Sequence, residues 1–184
     1  MARTVEFEKQ NLLEKTFDFI KKNGIESLTA RSLCSYIGCS TQPIFKNFGS
    51  MGGLKLELKN YLQEYYENFI NDIISKDAYL YTSNYSYTLF ALEEPNLFEA
   101  LFMSDIEGSK TISDIINSEE DWEIIESIPN QYHISKKQSE RLYRDVKLYT
   151  HGLSCQIACN SLVLNKAEIG ALIKNIINNL KKDV

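Results

Sequence analysis

The sequence predicts an all-α protein. Apolar residues recur at intervals of three and four along nearly the whole chain, as one-sided helices require. Ser, Thr and Asn caps, Gly exits and first-turn prolines punctuate that pattern. Repeats, low-complexity tracts and hairpin signals do not occur. With 184 residues, 43% apolar and 24% charged, the chain suffices for one substantial core, or for a small module joined to a larger one.

The first helix is expected over Val5 to Lys22, with Leu12, Leu13, Thr16, Phe17 and Ile20 inward. Lys21 and Lys22 suit its negative dipole end, and Asn23-Gly24 stops it. Thr29 caps a second helix, because its side-chain oxygen accepts from unpaired first-turn N–H groups. Leu33 and Ile37 share one face, and Gly38 supplies the permissive backbone of a sharp exit. Ser40 is the expected cap of the third helix, which carries Pro43 where a missing N–H costs little. Ile44 and Phe48 face inward, leaving Thr41, Gln42, Pro43, Phe45, Lys46 and Asn47 outside. A short helix with one buried edge and a polar, cationic and aromatic outer edge suits a DNA groove reader.

A long fourth helix is expected from Gly53 to about Ser75, with Leu54, Leu58, Tyr61, Leu62, Tyr65, Phe69 and Ile73 at helical spacing. An unusually aromatic fifth helix follows over Tyr79 to Glu93, and Pro95 opens a short one through Met103. Ser109 to Ser127 reads as one or two short helices, with Ser118 to Asp121 as a cap-like start and Pro129 as the close. Ser135 and Gln138 form a capping box that opens a helix reaching about Leu164. Asn165 with Glu168 begins the last helix, which ends near Lys182.

Charge is unevenly divided. Residues 1–60 carry nine Lys and Arg against six Asp and Glu, a net of +3. Residues 61–184 carry eleven against nineteen, a net of −8, so the overall −5 hides a basic front. Polyanion affinity follows local cation placement, since each phosphate contact releases counterions. No apolar run approaches the ~20 residues that span a bilayer, and the opening MARTVEFEKQ has no export-type apolar segment. Cys34, Cys39, Cys155 and Cys159 then imply a reducing cytoplasm rather than a disulfide frame.

From Leu12 to Leu58 the chain resembles the DNA-binding domain of the TetR family of bacterial transcriptional regulators. The likeness is densest at Leu33-Cys34, Gly38-Cys39-Ser40 and Ile44-Phe45-Lys46-Asn47-Phe48. The combined spacing, and no single fragment, carries it. Phe45 stands where the family usually has Tyr, which removes a hydroxyl contact to phosphate, and Met51 stands where many members place Lys, with Lys55 as the substitute.

The resemblance implies a helix-turn-helix head over residues 1–50 and a helical ligand-binding and dimerisation domain over 51–184, with the fourth helix as the lever between them. It implies a regulator, a repressor in the first instance, that binds a palindromic double-stranded DNA operator as a homodimer and is released by a small effector. Thr41, Gln42, Pro43 and Lys46 are the expected base contacts. Thr29, Arg31, Ser40, Asn47 and Lys55 are the expected backbone contacts, and Phe45 packs on sugar-phosphate.

Tyr65, Tyr85, Phe90, Phe98, Phe102, Trp122, Tyr143 and His151 are the candidate walls of a largely apolar or aromatic effector pocket, although bundle cores also use aromatics. Tyr85 to Phe98 and the element His151-Gly152-Leu153 resemble segments of some family sensor domains. Apolar stripes on the last two helices serve either as core or as a two-fold interface. The interface candidates are Tyr149, Leu153, Ile157, Ile169, Leu172, Ile173 and Ile176.

His151, Cys155 and Cys159 recur at four-residue spacing. One straight helix cannot wrap all three around an ion, because the helical rise puts the outer two ~12 Å apart. Packing by small thiols is the simpler reading, and a metal- or thiol-responsive sensor is the alternative. Cys34 and Cys39 read as structural. Another alternative is a binding protein of the same architecture whose DNA head is vestigial. No nucleophile, hydrolase or P-loop arrangement occurs, so neither an enzyme, nor a cofactor, nor a resident metal, nor a membrane partner is expected.

Overall fold

The computed structural model describes residues 8–104 and 119–182. Helices account for its regular structure, and no strand occurs among the described residues. Two compact units emerge: residues 8–67 with 96–104, and residues 68–95 with 119–182.

The first unit opens with α1 (Lys9–Asn23), which ends at Gly24 in a positive-φ conformation beside Lys21 and Lys22. Helices α2 (Ala30–Ile37) and α3 (Gln42–Phe48) follow, then α4 (Met51–Asn71). Fully buried Leu12, Ile20, Leu33, Ile44, Leu54 and Leu58 form the base on which these helices rest. Phe17 meets the rings of Tyr61 and Tyr65 at 5.2 and 4.9 Å, locking α1 to α4. From Asn96 on, helix α6 (Pro95–Phe98) and the π-turn after it (Glu99–Met103) also belong here, buried through Leu97, Phe98 and Ala100.

Helix α4 differs from expectation at both ends. It begins two residues early because Ser50 Oγ accepts the Gly53 N–H at 3.0 Å, an N-terminal cap. Gly53 is obligatory there, since a Cβ would overlap the Phe48 carbonyl oxygen. The helix stops at Asn71 rather than Ser75. Thr82 Oγ1 accepts the Ser75 N–H at 3.1 Å, which holds Ser75 extended and feeds a 3-10 turn (Lys76–Ala78).

The second unit is built round α5 (Tyr79–Glu93), whose buried positions Leu80, Asn84, Ser86, Thr88, Leu89, Phe90 and Ala91 leave no single apolar face. It packs with α7 (Glu119–Tyr132), α8 (Lys136–Ala158) and α9 (Lys166–Leu180). The shared core joins Leu80, Ile125, Ile128, Leu142, Val146, Ile169 and Ile173. Capping boxes open α8 at Ser135 and α9 at Asn165, as the sequence predicts.

Two expectations are corrected here. Pro129 lies inside α7 and does not close it: Ile124, Ile125 and Ile128 are buried, and that packing carries the helix to Tyr132. Helix α8 ends at Ala158, six residues before Leu164. Asn160 adopts a left-handed backbone (φ 56°), and the Ser161 and Leu162 N–H groups return to the Gln156 carbonyl at 3.0 and 3.1 Å. The start expected at Ser118, and the segment from Ser109 to it, lie outside the described residues.

Candidate nucleic-acid interface

The head is assembled from caps. Thr29 Oγ1 accepts the Ser32 N–H at 3.1 Å and Ser32 Oγ accepts the Thr29 N–H at 3.0 Å, a reciprocal box that fixes the start of α2. At its other end Gly38 is left-handed (φ 79°), and the N–H groups of Gly38 and Cys39 both reach the Cys34 carbonyl, at 2.8 and 3.1 Å. The chain therefore turns within four residues, Gly38 to Thr41, into α3. Leu33 and Ile44, both fully buried, pin the two helices from beneath.

The N-cap of α3 is Thr41, not Ser40, and it makes no side-chain cap bond. The first turn needs less capping because Pro43 lacks an N–H, while the Thr41 carbonyl accepts from Ile44 at 3.1 Å. The Ser40 carbonyl instead receives the Cys34 thiol at 3.2 Å, giving Cys34 a structural task. Burial, with Cys39 adding to it, pushes the Cys34 thiol up to about 11.

Thr29, Arg31, Ser40, Thr41, Gln42, Phe45 and Lys46 are exposed, while Pro43, Asn47 and Lys55 are half-buried. Phe45, 45% exposed, is a large aromatic on the outer edge of α3 with water on one side. Asn47 donates its side-chain amide N–H to the Pro43 carbonyl at 2.8 Å. Phe48 is half-buried beneath the Lys9 ammonium, 5.7 Å from the ring centroid. Lys55 lines an open cleft of about 510 Å³ with Glu26, Leu28, Leu56 and Ser104.

The aromatic residues expected to wall one pocket fall in two units. Tyr65, Phe98 and Phe102 belong to the first; the Tyr65 hydroxyl accepts from Lys21 at 3.2 Å, and Phe102 contacts Phe98 and Tyr66. Tyr85, Phe90, Trp122, Tyr143 and His151 belong to the second. There Phe90 and Tyr143 are buried core, Tyr85 stacks on Tyr81, and Trp122 is a surface ring under Lys136, whose Nζ is 4.3 Å from its centroid. Trp122 is thus no interior wall, because the ammonium above it keeps that face at the solvent boundary.

Among the interface candidates, Leu153, Ile157, Ile169 and Ile173 are buried within the chain: the α8 stripe faces α5, α7 and α9, and the α9 stripe faces α5 and α8. Tyr149, Leu172 and Ile176 retain exposed surface. Leu148, 46% exposed, was not singled out by periodicity yet lies next to Tyr149 on the same outer face of α8.

His151 has one neighbour that four-residue spacing announces, Cys155, and one that it does not, Tyr87. Its Nδ1 lies 2.8 Å from the Tyr87 hydroxyl on α5, and its Nε2 lies 3.5 Å from Cys155 Sγ. Cys159 is not in line with them: as the C-cap of α8 it contacts Ser161 Oγ at 3.2 Å. No group of three metal-ligating side chains occurs among the described residues. A buried hydrogen bond from Ser154 to Thr88 at 3.1 Å joins α8 to α5 beside this cluster.

No protein-family model and no curated protein matches the sequence. Among solved structures, the fold is similar to that of a TetR transcriptional regulator from Rhodococcus sp. RHA1. The match has a TM-score of 0.54 at 12% identity, over 94% of this chain and 97% of that one. The chain therefore has the all-α fold of a TetR-type regulator.

Proposed function

We infer that the protein is a DNA-binding transcriptional regulator, a repressor, that grips a palindromic operator as a homodimer and releases it on binding a small, largely apolar or aromatic effector. The observation that carries this reading is α3: a short helix braced by Ile44 and set off by left-handed Gly38. It presents Thr41, Gln42, Phe45 and Lys46 to solvent on a fold shared with a transcriptional regulator. Gln42 offers the bidentate pair that matches adenine, and the Thr41 methyl and Pro43 match thymine methyl groups. Lys46 reaches guanine or phosphate, while Arg31 and Lys55 fix register on the backbone.

Two heads must lie about 34–36 Å apart, or a multiple of that, to read both halves of a palindrome. Tyr149, Leu172 and Ile176, with Leu148, supply the apolar outer surface for the second copy. The effector enters the aromatic second unit, where Tyr85 and His151 offer polar contacts. It acts by favouring a head spacing that DNA does not, with a coupling of ~1–3 kcal/mol.

Fluorescence anisotropy with a mixed-sequence duplex tests the electrostatic part. Between about 50 and 200 mM salt, binding should weaken steeply. Lys55→Ala should lower the log–log salt slope by about one and weaken all sequences alike. Salt-independent binding contradicts the proposal.

A further inference from the structure

We propose that the open cleft lined by Glu26 and Lys55 is a second binding site, for a small zwitterion with an apolar body: an α-amino acid such as free leucine. The cleft lies wholly within the first unit. Its volume is about 510 Å³, inside the ~300–1,000 Å³ range of small-molecule sites. Ile25 and Leu28, 4% and 5% exposed, supply a buried apolar lining. Leu56, 60% exposed, adds apolar surface that the chain itself leaves open.

Charge completes the match. Glu26 and Lys55 line the same cleft with opposite signs. Their charged atoms lie more than 4.0 Å apart, so they do not pair with each other. Neither has an ion-pair or hydrogen-bond partner elsewhere among the described residues. Two unanswered charges of opposite sign beside an apolar lining fit a ligand that carries both signs and an apolar side chain. The carboxylate belongs with Lys55 and the ammonium with Glu26. An anion or a cation alone would leave one of the two charges unanswered.

The lining is held by local bonds rather than left to the ligand. In the turn after α1 the Leu28 N–H donates to the Ile25 carbonyl at 3.0 Å, and Ser27 Oγ donates to the Asn23 and Gly24 carbonyls at 2.9 and 2.8 Å. The Asn96 side-chain amide donates to the Lys21 carbonyl at 2.9 Å, which ties α6 to the end of α1. Ser104 Oγ donates to the Ala100 carbonyl at 2.6 Å, so its lone pairs remain to accept from an ammonium. A preformed lining spares the ligand the ordering cost of building one.

Titration of the isotope-labelled full chain with leucine, in the absence of DNA, tests the site by magnetic resonance at the Gly52 and Ser104 backbone amides. The shifts should saturate with millimolar affinity, as suits so small a ligand. Isocaproate lacks the ammonium, and isoamylamine lacks the carboxylate. Each should bind about fivefold more weakly than leucine, the upper end for one solvent-accessible charge pair. Free glycine keeps both charges and lacks the apolar body, and it too should bind more weakly. Glu26→Gln should erase the advantage of leucine over isocaproate and keep its advantage over isoamylamine; Lys55→Gln should do the reverse. A merely structural role for either residue does not produce that crossed pattern. Either partial ligand binding the native chain as tightly as leucine overturns the proposal, as do unmoved Gly52 and Ser104 amides. An advantage over isocaproate that survives Glu26→Gln overturns it equally. Glu26 is exposed, so that variant keeps the core intact and decides alone should Lys55→Gln fail to fold.

Discussion

Gln42 opens α3 with its side chain exposed, and the proposed base discrimination rests most heavily on it. Gln42→Ala should relax preference at one position of each half-site and cost about 1–3 kcal/mol, read by competition between duplexes that differ at single base pairs. Unaltered preference removes the assignment. His151 makes a different statement, about stability. Its folded pKa is depressed by burial and by Lys147, so the unfolded chain binds a proton more readily than the folded one. The resulting stability is present above the unfolded value of about 6.5 and is lost as pH falls towards the folded value. Melting temperature should therefore drop on acidification below about pH 6.5, and His151→Gln should flatten that drop. The exposed edge of α3 and the Thr29 cap were legible from spacing alone. The Tyr87 contact was not, because no periodicity reveals that α5 packs on α8.

At the scale of elements, the junction of α3 and α4 makes the sharpest prediction. Gly53 has no room for a Cβ against the Phe48 carbonyl, and backbone cannot yield as a side-chain tip can. Gly53→Ala should cost about 1–3 kcal/mol, as overpacking does. Gly52→Ala is the control, because its added Cβ meets only Ser50 Oγ at ordinary contact distance, 3.5 Å. It should be neutral or up to about 1 kcal/mol stabilising through helix propensity. Urea melts of both variants check the pair. Local signals fixed the starts of α2, α8 and α9, where a cap speaks to its own first turn. They misplaced the ends that tertiary packing decides. Three buried isoleucines carry α7 past Pro129, and left-handed Asn160 ends α8 early. The same limit applies to the apolar stripes: Ile169 and Ile173 are indistinguishable in sequence from Leu172 and Ile176, yet only the first pair is fully buried.

At the scale of the molecule, reading both halves of a palindrome requires two copies. Tyr149→Asp combined with Ile176→Asp places charge on the proposed outer surface while sparing the buried core. Sedimentation should then show a folded monomer that has lost operator affinity and kept weak, salt-sensitive binding to any duplex. A dimer that survives both substitutions moves the interface elsewhere. The division of charge, +3 over residues 1–60 against −8 over the rest, belongs to this scale too. Under the proposed function it favours approach to DNA with residues 1–60 leading. The most direct trial of the central claim is selection of bound sequences from random duplex DNA by the full chain. The expected result is enrichment of an inverted repeat whose half-site centres lie about one helical turn, or a whole multiple of it, apart. Recovery of no enriched sequence, or of a single half-site without its inverted mate, contradicts it.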